Sequence, residues 1–166
     1  MFVDRHEELA FLNRLLTRRR PGPGQMVLLY GRRRVGKTEL LKYWVQNSDV
    51  AFTYWAADKE PSALQRRSFM AAMLDMPEEQ ATAFDSWPAL WRWLAPRLAE
   101  RQEKHILILD ELSYASAADP ALLSALQHAW DHHLRESNLV LVLCGSQVTT
   151  MEAIMQHQWP LFGRFT

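Results

Sequence analysis

The sequence predicts a three-layer α/β fold built on a central, mostly parallel sheet. Two observations predict it. Four short runs, Met26–Tyr30, Val50–Ala56, Ile106–Leu109 and Leu139–Cys144, are apolar with little or no alternation, as strands buried on both faces are. Segments with helical spacing separate them, and strands alternating with helices close into a parallel sheet covered on each side.

Each element has a local reason. Residues 4–20 read as a helix: Asp4 and Glu7 have capping-box spacing, and Leu9, Leu12, Leu15 and Leu16 share one face. Arg18–Arg20 complements its C-terminus, and Pro21–Gly24 ends it. A helix from Lys37 to about Gln46 follows the glycine-bounded segment 31–36. Pro61 to about Leu74 and Ser86–Glu100 also read as helices; Ser86 is a cap, and Pro96 is a position where the second should kink or end. Pro120–Arg135 is a helix with proline in its first turn, and Met151–Gln158 a short helix.

Composition fits one domain over 1–166. Hydrophobic residues make up 48% and charged residues 23%, a globular balance. Nineteen basic residues offset nineteen acidic ones, so no global field draws the chain to nucleic acid or membrane. The longest apolar runs fall far short of the roughly 20 residues that span a bilayer. Met1–Leu12 carries charges throughout, unlike a signal peptide. The single cysteine, Cys144, excludes an intrachain disulfide and fits the cytoplasm, the expected location.

The chemistry begins at Gly31-Arg32-Arg33-Arg34-Val35-Gly36-Lys37-Thr38, which matches the phosphate-loop (Walker A) pattern G-x-x-x-x-G-K-[ST]. Chance produces that pattern in roughly one per cent of random chains of this length. Here it sits where its mechanism requires, between an apolar strand and a helix. Glycines let consecutive N–H groups approach phosphate oxygens, and the helix N-terminus favours anions. Lys37 would neutralise the β- and γ-phosphates, Thr38 would offer a hydroxyl to Mg²⁺, and Glu39 completes the nucleotide-binding stretch. The implied ligands are ATP and Mg²⁺.

A second motif closes the third strand. Asp110-Glu111 follows Ile106–Leu109, at the sheet edge where ligands bind. Asp110 would hold Mg²⁺, in the manner of a Walker B acid, and Glu111 would polarise the attacking water. In isolation such a pair is as often two solvated acids opening a loop; the upstream phosphate loop favours the nucleotide role. After the fourth strand, Ser146 or Gln147 could sense the γ-phosphate, or form a plain turn.

Other residues are read more blandly. Cys144 has no basic neighbour in sequence and reads as a small buried residue. Arg32, Arg33 and Arg34 add charge near the triphosphate, contact DNA or are solvated. Arg164 could reach a γ-phosphate in its own or a neighbouring subunit, although a surface position is the simpler reading. His128 and His132 stand four apart, with His133 beside them, but no third zinc ligand is evident. Trp87, Trp91 and Trp93 read as packing, with a partner interface as the other use.

Taken together, these segments resemble the archaeal-type ATPase family of P-loop proteins, relatives of the AAA+ and STAND ATPases. The residues that carry the resemblance are Phe2–Leu9 (FVDRHEEL), Tyr30–Thr38, Ile108–Tyr114, Leu143–Ser146 and Pro160–Arg164, in family order across nearly the whole chain. The resemblance implies an ASCE-type P-loop NTPase whose strand Leu139–Cys144 lies between Ile106–Leu109 and Met26–Tyr30. It implies a sensor role for Ser146, a base contact near Arg5, and a longer protein of which this chain is the N-terminal part, missing its last sheet strand. Asp4 stands where the family often has glycine. The implied activity is ATP hydrolysis coupled to an attached domain, with DNA and a homo-oligomer as candidate partners. A nucleotide-binding switch with negligible turnover is the alternative.

Overall fold

The structure, a computed structural model, describes residues 6–17, 24–30, 36–145 and 163–164. In chain order the elements are α1 (His6–Leu16), β1 (Gln25–Tyr30), α2 (Lys37–Gln46), β2 (Ala51–Ala56), α3 (Ser62–Leu74), α4 (Trp87–Ala99), β3 (His105–Asp110), α5 (Leu112–Ala118), α6 (Ala121–His132), β4 (Leu139–Gly145) and β5 (Gly163–Arg164). The sheet order is β2-β3-β4-β1-β5, and every pairing is parallel. β4 therefore lies between β3 and β1, as expected from the resemblance.

The apolar runs divide their side chains between the two faces. Met26, Leu28, Leu107, Leu109, Leu141 and Leu143 pack with α3, α4, α5 and α6. Val27, Leu29, Ile106, Ile108, Val140 and Val142 pack with α1 and α2. This two-sided burial is why the strands show no hydrophilic alternation. Each fully buried aliphatic side chain contributes about 1.5–3 kcal/mol relative to exposure. Trp55, Phe69, Trp87 and Trp91 form an aromatic group on the first face, with ring centroids 5.4 Å apart for Trp55–Phe69 and 5.5 Å for Phe69–Trp91. Trp87 and Trp91 are thus core residues, whereas Trp93 is half-buried under the Arg97 guanidinium.

Ser86 caps α4 as expected, accepting the Ala89 N–H at 3.1 Å, a bond worth about 1 kcal/mol. Pro96 does not end α4, which runs on to Ala99. The expected helix 120–135 breaks at His133, and Leu134–Glu136 forms a separate 3₁₀ turn. The Arg135 carbonyl there accepts the Gly24 N–H at 2.7 Å, fixing the turn to the start of β1. Pro120 caps α6 rather than opening it. Two elements were not foreseen: α5, directly after the acidic pair, and β5, whose Gly163 and Arg164 pair with Leu29 and Tyr30. The sheet therefore has a two-residue fifth strand, beside β1. The proposed helix Met151–Gln158 and the Asp4 cap lie outside the described residues.

Candidate nucleotide site

Parallel pairing brings the C-terminal ends of the central strands to one edge. Tyr30 of β1 is opposite Gly145 of β4, and Ala56 of β2 is opposite Asp110 of β3. The two sequence motifs leave the sheet at this edge, separated by one strand.

Gly36 caps α2 with φ 81°, in the left-handed region. Among the described residues an added Cβ would meet nothing within 4 Å; it is the positive φ that calls for glycine there. The turn starts α2 at Lys37, which is buried at 7% exposure; Thr38 is half-buried and Glu39 exposed. Gly31, Arg32, Arg33, Arg34 and Val35 lie outside the described residues.

Asp110 is the centre of the arrangement. It is 2% exposed, and among the described residues its carboxylate accepts hydrogen bonds from Thr38, Tyr54 and the Glu111 backbone. The Thr38 hydroxyl donates to Oδ2 at 2.7 Å across 72 residues of sequence, the Tyr54 hydroxyl donates to the same oxygen, and the Glu111 N–H donates to Oδ1 at 2.8 Å. Glu111 itself has φ 52° and caps α5. A glutamate in the left-handed region costs about 1–2 kcal/mol and persists only where its surroundings enforce it; such outliers cluster at functional sites. Three described non-glycine residues, Asp49, Asp75 and Glu111, adopt this conformation, and Glu111 is the one beside Asp110.

Burial and the adjacent Asp110 charge push the Tyr54 phenol far above its ordinary pKa, so it stays protonated and remains a donor. The same two causes, burial first, raise the Cys144 thiol well above its ordinary value. Cys144 is wholly buried, packed with the apolar α1–α2 face on one side and adjoining the Asp110 carboxylate on the other, so its thiolate is disfavoured and it does not suit a nucleophile.

A hydroxyl and a carboxylate are hard oxygen donors, and those of Thr38 and Asp110 converge from the two motifs. That donor set suits Mg²⁺. Ser146, Gln147 and Arg5 fall outside the described residues, and of Arg164 only the backbone, in β5, is described. His128, His132 and His133 are exposed, and no cluster of three metal-binding side chains occurs among the described residues. A groove of about 440 Å³ between α4 and α6 is lined by Trp91, Arg92, Ala125 and His128, and no described residue of either motif is among those lining it.

Sequence reasoning missed Tyr54. It sits in β2, outside both motifs, and its meaning emerges only once β2 is known to flank β3. The available signal was a phenol two residues before the end of a mostly apolar strand.

The model of an ATPase domain found predominantly in Archaea matches residues 2–166. The chain belongs to that family. An uncharacterised protein of Methanocaldococcus jannaschii is 32% identical to this ATPase domain over 167 residues, covering all of this chain and 34% of the relative. An uncharacterised ATP-binding protein of the same organism is 46% identical over 50 residues, 30% of this chain and 80% of its own. Among solved structures, the ORC2 protein of Aeropyrum pernix in its ADPNP–ADP complexes superposes with a TM-score of 0.68 at 20% identity, over 98% of this chain and 48% of that one. The ORC1 protein of the same organism, in complex with DNA, gives 0.69 at 16% identity, over 98% and 45%. The fold is therefore that of the AAA+ P-loop ATPases of the ORC/Cdc6 type. The ATPase domain spans about a third of its full-length-matched curated relative and about half of these structures. Among the described residues no helix is long and apolar enough to cross a membrane.

Proposed function

We propose that this domain binds ATP with Mg²⁺ through Gly31–Thr38 and Glu39, and hydrolyses it with Asp110 and Glu111. The observation that carries the reading is the 2.7 Å bond between Thr38 and Asp110, which joins the helix after the phosphate loop to the end of β3. Family membership supports the nucleotide, and the donor chemistry supports the metal.

In this reading the Lys37 ammonium and the N-terminal amides of α2 neutralise and orient the β- and γ-phosphates. Thr38 and Asp110 would hold Mg²⁺, which when bound would supply further neutralisation of the phosphate charge. Glu111 accepts a proton from water as its oxygen bonds to Pγ; the bond from Pγ to the bridging oxygen breaks, and ADP carries away the electron pair. Ser146, immediately after β4, reads the γ-phosphate.

Lys37→Ala should abolish ATP uptake measured by calorimetry. Glu111→Gln should retain uptake while phosphate release falls about 100-fold or more. Equal turnover in Glu111→Gln would refute its role, and no uptake of Mg·ATP by the parent would refute the whole reading. A parent that binds ATP but releases phosphate no faster than Lys37→Ala is the nucleotide switch.

In the whole protein, nucleotide state would act on an attached domain in the cytoplasm, and a neighbouring copy could supply an arginine such as Arg164. DNA is the partner class suggested by the complex of the Aeropyrum pernix protein. A salt-dependent mobility shift of duplex DNA by the full-length protein tests it.

A further inference from the structure

Tyr54 belongs to neither nucleotide motif, yet its hydroxyl donates to the same Asp110 Oδ2 that accepts Thr38. A carboxylate turns readily about its last torsion, which is broad and roughly two-fold. The Thr38 hydroxyl holds Oδ2 and the Glu111 N–H holds Oδ1, so the Tyr54 hydroxyl is a second donor on Oδ2. The third donor comes from a fixed ring: Tyr54 packs against the α1–α2 face of the sheet, and the Lys42 ammonium stands 5.3 Å from its centroid. β2 is also locked to β3 through the pairs Tyr54–Ile108 and Ala56–Asp110. The Thr38 hydrogen is committed to Asp110, so the oxygen lone pairs of Thr38 are the part of that hydroxyl available to a cation.

We infer that Tyr54 is a positioning residue for the magnesium site: its hydroxyl fixes the Asp110 carboxylate, and through it Thr38, in the orientation that holds the metal beside a bound nucleotide. The inference rests on the proposed roles of Thr38 and Asp110. Tyr54 acts on the metal at one remove, as the outer partners of a ligating carboxylate do. It does not act on the nucleotide, so the two affinities should separate.

Tyr54→Phe removes one oxygen atom and keeps the ring. Nucleotide affinity is measured in EDTA with a non-hydrolysable ATP analogue. Metal affinity is measured on the nucleotide-loaded 166-residue chain by Mn²⁺ electron paramagnetic resonance, with thermal unfolding recorded in parallel. The expected result is Mn²⁺ binding weakened about tenfold or more, with EDTA-state nucleotide affinity within about twofold of the parent. Mn²⁺ affinity equal to the parent's overturns the inference, as does a parallel fall of both affinities with a lowered unfolding midpoint, which marks a packing role. Asp110→Asn separates the two levels. If it weakens Mn²⁺ and Tyr54→Phe does not, the role of Tyr54 alone fails; if neither does, the assignment of Asp110 fails and takes Tyr54 with it.

Discussion

Acidification should destabilise this domain through His105, at the end of β3 opposite Asp110. The ring is 6% exposed; one nitrogen lies 2.9 Å from the Thr53 hydroxyl and the other 2.9 Å from the Arg101 guanidinium. A guanidinium only donates, so Nδ1 accepts, and Nε2–H donates to Thr53. Burial first, and the Arg101 charge second, lower the His105 pKa from 6.5 to about 4. The folded pKa is depressed, so between about pH 6.5 and 4 the unfolded chain binds the extra proton. The contribution to stability is complete above that window and is lost as pH falls through it. Integrating the two titrations from pH 7 to pH 5, with allowance for partial solvent screening, gives a loss of about 1–1.5 kcal/mol. Urea unfolding followed by tryptophan fluorescence at both pH values measures it, with His105→Gln, which keeps a donor and an acceptor, as reference. Groups other than His105 cancel in the difference. Parent and variant losing equal stability on acidification would refute the reasoning.

Two other residues give direct tests. Gly36→Ala places a side chain at φ 81° and should cost about 1–2 kcal/mol of nucleotide-free stability; an unchanged thermal midpoint would show that the α2 cap takes another conformation. Cys144 should resist a thiol reagent such as DTNB in the folded chain and react on unfolding, because it is buried and its thiolate is disfavoured; rapid native-state labelling would contradict its place in the core.

The fold was legible where burial leaves a one-dimensional trace. The β1, β3 and β4 runs are apolar on both faces, so their existence and approximate limits follow from residue type alone. α5 was invisible because its sequence, LSYASAA, spans only two turns, too short for a periodic apolar stripe. β5 was invisible because two residues carry no pattern; their pairing with Leu29 and Tyr30 defines them. The end of α6 was misread because His133 leaves helical geometry, φ −134°, and Leu134–Glu136 forms its own turn, which the Gly24 N–H joins to β1 through the Arg135 carbonyl. At the site, Lys37, Thr38 and Asp110 were readable because their chemistry fixes their spacing from a strand or glycine turn.

Tyr54 shows the limit of that legibility and its physical source. A phosphate loop is a local object: its glycines, lysine and hydroxyl must be adjacent because one turn and one helix end build the anion cradle. A buried carboxylate has no such restriction. Its donors can arrive from any element that passes within 3 Å, and the protein supplies one from the helix 72 residues upstream, one from the backbone of the next residue, and one from the neighbouring strand 56 residues upstream. Removing any donor leaves the charge less compensated in a place water barely reaches, which makes each hydrogen bond to it stronger than one at the surface. The residues that tune such a carboxylate are therefore set by strand order. In this sheet, β2 flanking β3 turns an unremarked tyrosine into part of the site.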